Sequence, residues 1–105
     1  MTRDDAALEV QMADRFAALG APARVQLLRL LVRAGADGLT VGELQKHSGL
    51  ALSTQAHHLN ALVRSGLVVQ EKLGREVRSR VDFHAVQSLG TFLIERCCEG
   101  FGGCS

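Results

Sequence analysis

The stretch TVGELQKHSGLALSTQAHHLNALVR, residues 40–64, leaves the chain few choices of fold. It holds two short helical patterns separated by a few residues that include a glycine. Thr40 is followed three residues later by Glu43, the spacing of a capping box, so the first helix starts there. Leu44 lies on its buried face and Gly49 breaks it. The second pattern runs from about Leu52 to Arg64, with Leu52, Ala56, Leu59, Leu62 and Val63 facing inward. A helix, a three- or four-residue turn containing glycine, and a second helix make a helix-turn-helix signature.

The flanking segments extend this core in both directions. Residues 4–19 place Leu8, Met12, Phe16 and Leu19 at helical spacing, and Gly20 ends that run. Pro22 sits where the first turn of a new helix tolerates it. Residues 22–34 follow, with Val25, Leu28, Leu31 and Val32 as the apolar stripe. GADG, residues 35–38, reads as a turn. After Ser65-Gly66 the period changes to two. LVVQEKL (67–73) and VRSRVDF (77–83) are strand patterns joined through Gly74-Arg75-Glu76, a hairpin. In the second strand Val77, Ser79, Val81 and Phe83 share one face, and Arg78, Arg80 and Asp82 share the other. A last helix spans about 84–97, with Val86, Leu89, Phe92 and Leu93 along it. The expected fold is mainly α with a β-hairpin wing, one domain over residues 1–105.

At 105 residues, a chain buries only about two-thirds of the surface its unfolded form exposes, so dimerisation is a natural source of extra stability. The composition is globular, 47% hydrophobic and 22% charged. The polar start MTRDDAALEV has no signal-peptide core, and no apolar run approaches the ~18 residues of a membrane span. All three cysteines fall within the last nine residues. An odd, clustered set does not suit a secreted disulfide framework and points to functional thiols in a reducing cytoplasm.

The net charge of +1 conceals an asymmetry. Between Lys46 and Arg80 stand six basic residues and two acidic ones, a net +4, which leaves −3 for the remainder. A basic middle suits an anionic partner. On the helix at 52–64, with Leu59 inward, Thr54, His57, Ala61 and Arg64 point away, flanked by Ser53, His58 and Asn60. Hydroxyls and imidazoles on such a face can hydrogen-bond base edges in the major groove. Arg64 suits phosphate, as do Lys72, Arg75 and Arg78 on the hairpin. Adjacent His57 and His58 diverge by about 100° on a helix and do not readily share one metal ion.

These elements, in this order, resemble the arsenic-repressor (ArsR/SmtB) type of winged helix-turn-helix protein over nearly the whole chain. ALGAPARVQLLRLL (18–31) is similar to that family's early helix pair. GLALSTQAHHLNALVRSGLV (49–68) resembles its recognition segment, and RCC…C resembles the thiol sensor of one subgroup. The resemblance implies a homodimeric, cytoplasmic transcriptional repressor that pairs through its first and last helices. Ligand binding would release its double-stranded operator DNA. Gln55 stands where the family usually carries an apolar residue; it either packs inward or joins the DNA-facing set, where glutamine can read adenine.

The tail ERCCEGFGGCS, residues 95–105, admits several chemistries. Thiolates favour soft acceptors, and trivalent arsenic or antimony forms pyramidal complexes with three of them. Gly100, Gly102 and Gly103 let the chain fold back to bring Cys104 to Cys97 and Cys98. Relatives that carry sensing thiols on the helix before the recognition helix differ here, because LTVGEL (39–44) has no cysteine. The resemblance therefore implies Cys97, Cys98 and Cys104 as ligands of As(III), with Sb(III) as an analogue. A zinc-type alternative uses Asp82, His84, Glu95 and Cys98, half of a pattern found in other relatives, although Asp82 and His84 also suit a helix start. A redox alternative closes Cys98 on Cys104 as a disulfide or persulfide pair. The bland alternative is a disordered, functionless tail. No nucleophile–base set, phosphate loop or acid–base carboxylate pair suggests an enzyme. A pure protein-interaction module would leave the basic stretch unexplained.

Overall fold

The computed structural model describes the backbone of residues 3–99 and the side chains of residues 4–94. Five helices and three short strands follow one another: α1 (Arg3–Ala18), α2 (Pro22–Ala34), β1 (Leu39–Thr40), α3 (Val41–Ser48), α4 (Leu52–Arg64), β2 (Val68–Leu73), β3 (Glu76–Val81) and α5 (Phe83–Glu99). The strands form one antiparallel sheet in the order β1-β3-β2. Local chemistry explains most of these boundaries. Pro22 opens α2 at a position whose amide would have no helical partner. Thr40 Oγ1 accepts from Glu43 N at 3.2 Å while Glu43 Oε1 accepts from Thr40 N at 2.9 Å, the reciprocal capping box expected from the spacing. Gly49 ends α3 in the left-handed region at φ 70°.

The GADG segment is more than a turn. Gly35–Asp37 form one turn of 3-10 helix, and Leu39–Thr40 then add a third strand against Ser79 and Arg78 of β3. Gly38 makes this possible. Its φ is 66°, and any Cβ there would collide with the carbonyl of Ser79. The hairpin is tighter than the expected three-residue link. Leu73 pairs with Glu76, so Gly74-Arg75 alone connects β2 and β3, with Gly74 at φ 65°.

Leu27, Leu31, Leu44, Leu62 and Leu67 are fully enclosed between α2, α3, α4 and the sheet, joined by Leu28, Leu59, Val68 and Val81. Full burial of each such side chain is worth about 1.5–3 kcal/mol relative to exposure. The stripe on α2 is rotated from the expected one: Leu27, Leu28 and Leu31 are buried, whereas Val25 and Val32 are about 40% exposed. α1 and α5 pack on one side of this core through Met12, Ala85 and Leu89, with Leu8 and Phe92 partly covered. Leu93 remains largely outside and Phe16 about a third so, and Phe83 opens α5 instead of extending the β3 face. Asp82 caps α5, its Oδ1 accepting from Ala85 N at 3.1 Å.

Candidate nucleic-acid interface

Three residues separate α3 from α4, and one polar residue decides how the two helices sit together. Gln55 is 1% exposed on the inward face of α4, in line with Leu59 and Leu62. Its Nε2 donates to the Val41 carbonyl at 3.1 Å, and its Oε1 accepts from Ser48 Oγ at 2.8 Å. Ser48 Oγ accepts in turn from Leu50 N, and Gln45 Nε2 donates to the Leu50 carbonyl. Both ends of α3 and the intervening turn are thus tied to α4 through satisfied buried hydrogen bonds. This corrects the placement of Gln55 among the DNA-facing residues. The sequence did carry a signal: residues 55, 59 and 62 repeat at helical spacing, which places a glutamine on the core stripe. The same rotation turns Leu52, 53% exposed, and Ala56 outward instead of inward.

The outward face of α4 presents Ser53, Thr54, His57, Asn60 and Arg64, all exposed. They supply hydroxyls, an imidazole, an amide and a guanidinium, a mixed set of donors and acceptors suited to base edges and phosphates. His58 departs from that group. It is half-buried toward α2, and its Nδ1 accepts from Arg24 Nε at 3.2 Å. The imidazoles of His57 and His58 meet edge to face with centroids 5.3 Å apart. Arg24 was not among the residues singled out from the sequence, because its partner lies 34 residues away.

The hairpin projects from the same core. Lys72 and Arg75 are exposed on it, with Arg75 in the tip beside Gly74. Arg78 does not belong with them. It sits on the central strand, its Nε donating to Glu76 Oε2 at 3.4 Å and its Nη1 donating to the Asp37 carbonyl at 3.4 Å. The Glu43 carboxylate lies 3.9 Å from the same guanidinium. Arg78 therefore ties the sheet to the start of α3, and the phosphate contact expected of it would compete with these bonds. The Thr40 amide, then the Thr40 hydroxyl, hold the Glu43 carboxyl below its usual range, and the Arg78 and Lys46 charges add to this.

Among the described residues no three His, Cys, Asp or Glu side chains converge on a metal-sized site. Of the expected sensor residues, Cys97 and Cys98 fall in the helical backbone of α5, and their side chains lie outside the described residues, as do Cys104 and the side chain of Glu95. Of the alternative zinc set, Asp82 serves as the α5 cap and His84 is exposed in the first turn of α5. No helix among the described residues is long and apolar enough to cross a membrane.

Residues 19–71, half of the chain, match the helix-turn-helix domain family. No curated protein matches the sequence significantly. Among solved structures, an ArsR-like transcriptional regulator from Rhodococcus sp. RHA1 is 33% identical, with a TM-score of 0.75 over 87% of this chain and 82% of the other. The homodimeric winged helix-turn-helix domain Mb0332 of Mycobacterium bovis is 25% identical, with a TM-score of 0.70 over 100% and 97% of the two chains. HlyU of Vibrio cholerae is 26% identical, with a TM-score of 0.68 over 94% and 100%. This fold serves DNA-binding regulators and not enzymes. A satisfied helix-turn-helix, an exposed polar face on its second helix, a three-stranded wing and these likenesses agree: the chain belongs to the ArsR-type family of winged helix-turn-helix transcriptional regulators.

Proposed function

We propose that the protein is a dimeric, cytoplasmic repressor that leaves its operator when As(III), or Sb(III), joins the thiolates of Cys97, Cys98 and Cys104. The observation that carries the DNA-binding part is the outward face of α4, which presents Ser53, Thr54, His57, Asn60 and Arg64 on a helix whose opposite face is locked into the core. Thr54 and His57 would contact base edges. Arg64, Lys72 and Arg75 would contact phosphates. Two α4 helices related by a twofold axis would enter successive major grooves, on half-sites about one or more helical turns apart.

The dimer reading is supported by the apolar remainder of α1 and α5. Val10 is 63% exposed, Leu93 54% and Ile94 68%. Side chains of this kind, left by the monomer on its two terminal helices, suit burial against a second copy. The homodimeric state of the Mb0332 domain agrees with it. α5 stays helical through Glu99, so Cys97 and Cys98 lie on the same helix as Leu93 and Ile94. Drawing three thiolates together at that end would strain the dimer contact and shift the two reading heads. A coupling of about 1–3 kcal/mol lowers DNA affinity ~5–150-fold.

A gel-shift titration with arsenite, antimonite, zinc and peroxide tests the inducer. It is run on the wild type and on Cys97→Ser, Cys98→Ser and Cys104→Ser. Arsenite should release DNA from the wild type and from none of the three variants. Release by zinc or peroxide with no response to arsenite would replace the proposed inducer with a divalent-metal or redox signal. His57→Ala and Thr54→Ala should relax sequence preference, whereas Arg75→Ala should chiefly flatten the salt dependence.

A further inference from the structure

An open concavity of about 320 Å³ lies where the end of α1, the first turn of α2 and the C-terminal half of α4 meet, lined in part by Asp14, Arg24, Ala61, Arg64 and Ser65. Two guanidinium groups stand on its walls. Arg24 is held by its Nε on His58 Nδ1, and its terminal nitrogens have no hydrogen-bond partner among the described residues. Arg64 is exposed and likewise has no such partner. Arg15, just outside, is already used: its Nε donates to the Ser65 carbonyl at 3.2 Å and closes the end of α4.

We propose that this concavity is a second DNA-backbone site, in which Arg24 and Arg64 clamp neighbouring phosphates on the strand that walls the major groove. The inference rests on the reading of α4 as the groove-entering helix. An α-helix with its side chains is about 10–12 Å across, and the major groove is about 12 Å wide. A helix that fills the groove therefore brings whatever stands beside it against the groove wall, which is phosphate. The concavity stands beside α4 in that sense: Ala61 and Arg64 of α4 line it, and Arg24 on its other side is bonded to His58 of the same helix. A guanidinium anchored by Nε keeps its terminal edge free, and that planar edge matches phosphate oxygens. His58 thus serves as a bracket for Arg24 instead of a base reader. Asp14 on the same rim opposes an anion, which gives the site a lever of opposite sign.

Binding is measured by fluorescence anisotropy across a salt series. The probes are a duplex selected from a random pool by the wild-type chain and a scrambled duplex of equal length. Arg24→Gln should lower the slope of log affinity against log salt by about 0.9 per protomer, equally on both duplexes. The melting temperature and the preference for the selected duplex should stay unchanged. Arg24→Lys should restore the slope, because the charge remains. Asp14→Asn should tighten binding to both duplexes and stays informative if Arg24→Gln folds poorly. A wild-type slope for Arg24→Gln, or unchanged binding for Asp14→Asn, would overturn the clamp. Weakening by Arg24→Gln on the selected duplex alone would also overturn it, making Arg24 a positioning residue that acts through His58. Failure of the wild-type chain to select any duplex removes the groove-entering reading of α4 itself, a result distinct from loss of the clamp.

Discussion

The helix-turn-helix and the α1–α5 pair manage burial in opposite ways. Between α2, α3 and α4 the interior is closed: Leu31, Leu44 and Leu62 are 0% exposed, and the polar intruder Gln55 has a partner at each end of its amide. On α1 and α5 only one face is closed, through Met12, Ala85 and Leu89, while Val10, Leu93 and Ile94 face outward. The first region is complete within one chain and sets a rigid reading head. The second leaves apolar side chains uncovered, and on the proposed dimer reading its stability and geometry depend on a partner copy. That division gives a regulator a place where a signal can act without unfolding the DNA-reading part.

The contrast can be broken most severely from inside the closed region. Leu62→Ala should cost about 2–5 kcal/mol in urea denaturation, because a fully enclosed position cannot collapse around the loss. From the open region, Ile94→Asp should leave monomer stability within about 0.5 kcal/mol, as at other exposed sites. Sedimentation equilibrium should instead show the dimer weakened by roughly 100-fold or more, the cost of an unpaired charge in an apolar contact. A variant that stays dimeric would place the interface elsewhere.

Gln55→Ala probes the seam between packing and reading. It should cost about 1–3 kcal/mol by leaving the Ser48 hydroxyl and the Val41 carbonyl without their buried partner. It should weaken DNA binding while the sedimentation profile stays that of the wild type. If Gln55 instead read a base, specificity would fall with no loss of melting temperature.

The smallest effect concerns the capping box. The Glu43 carboxyl ionises below its usual value of 4.5 because its charged form accepts from the Thr40 amide. Its contribution to stability is therefore full above about pH 4.5 and is lost as pH falls through the lowered folded value. Thr40→Ala should remove that pH-dependent part. The difference between wild-type and variant melting temperatures should shrink on acidification and not on alkalinisation.

Much of this architecture was legible locally. Thr40 with Glu43, Pro22, Gly49 and the switch of period after Gly66 each carry their message within a few residues, and the helix and hairpin positions follow from them. What was misread depended on distant partners. β1 is two residues long, too short for any periodicity, and exists because Gly38 lets Leu39 approach Ser79, 40 residues further on. Arg78 looked like a wing cation until Glu43 and the Asp37 carbonyl came within its reach. His58 looked outward until Arg24 claimed it.

The amino-acid order by itself determined that the chain makes a helix-turn-helix followed by a wing, because caps, breakers and hydrophobic period are short-range physics. It also determined that all the thiols lie together at the far end. Only the tertiary structure decided which face of α4 is buried, since a shift of about 100° per residue makes neighbouring stripes nearly equivalent until a neighbour fills one of them. Packing against α2 and α3 chose the stripe of Gln55, Leu59 and Leu62. That choice left Ser53, Thr54, His57, Asn60 and Arg64 exposed on the outward face and turned one histidine into a bracket for an arginine on another helix.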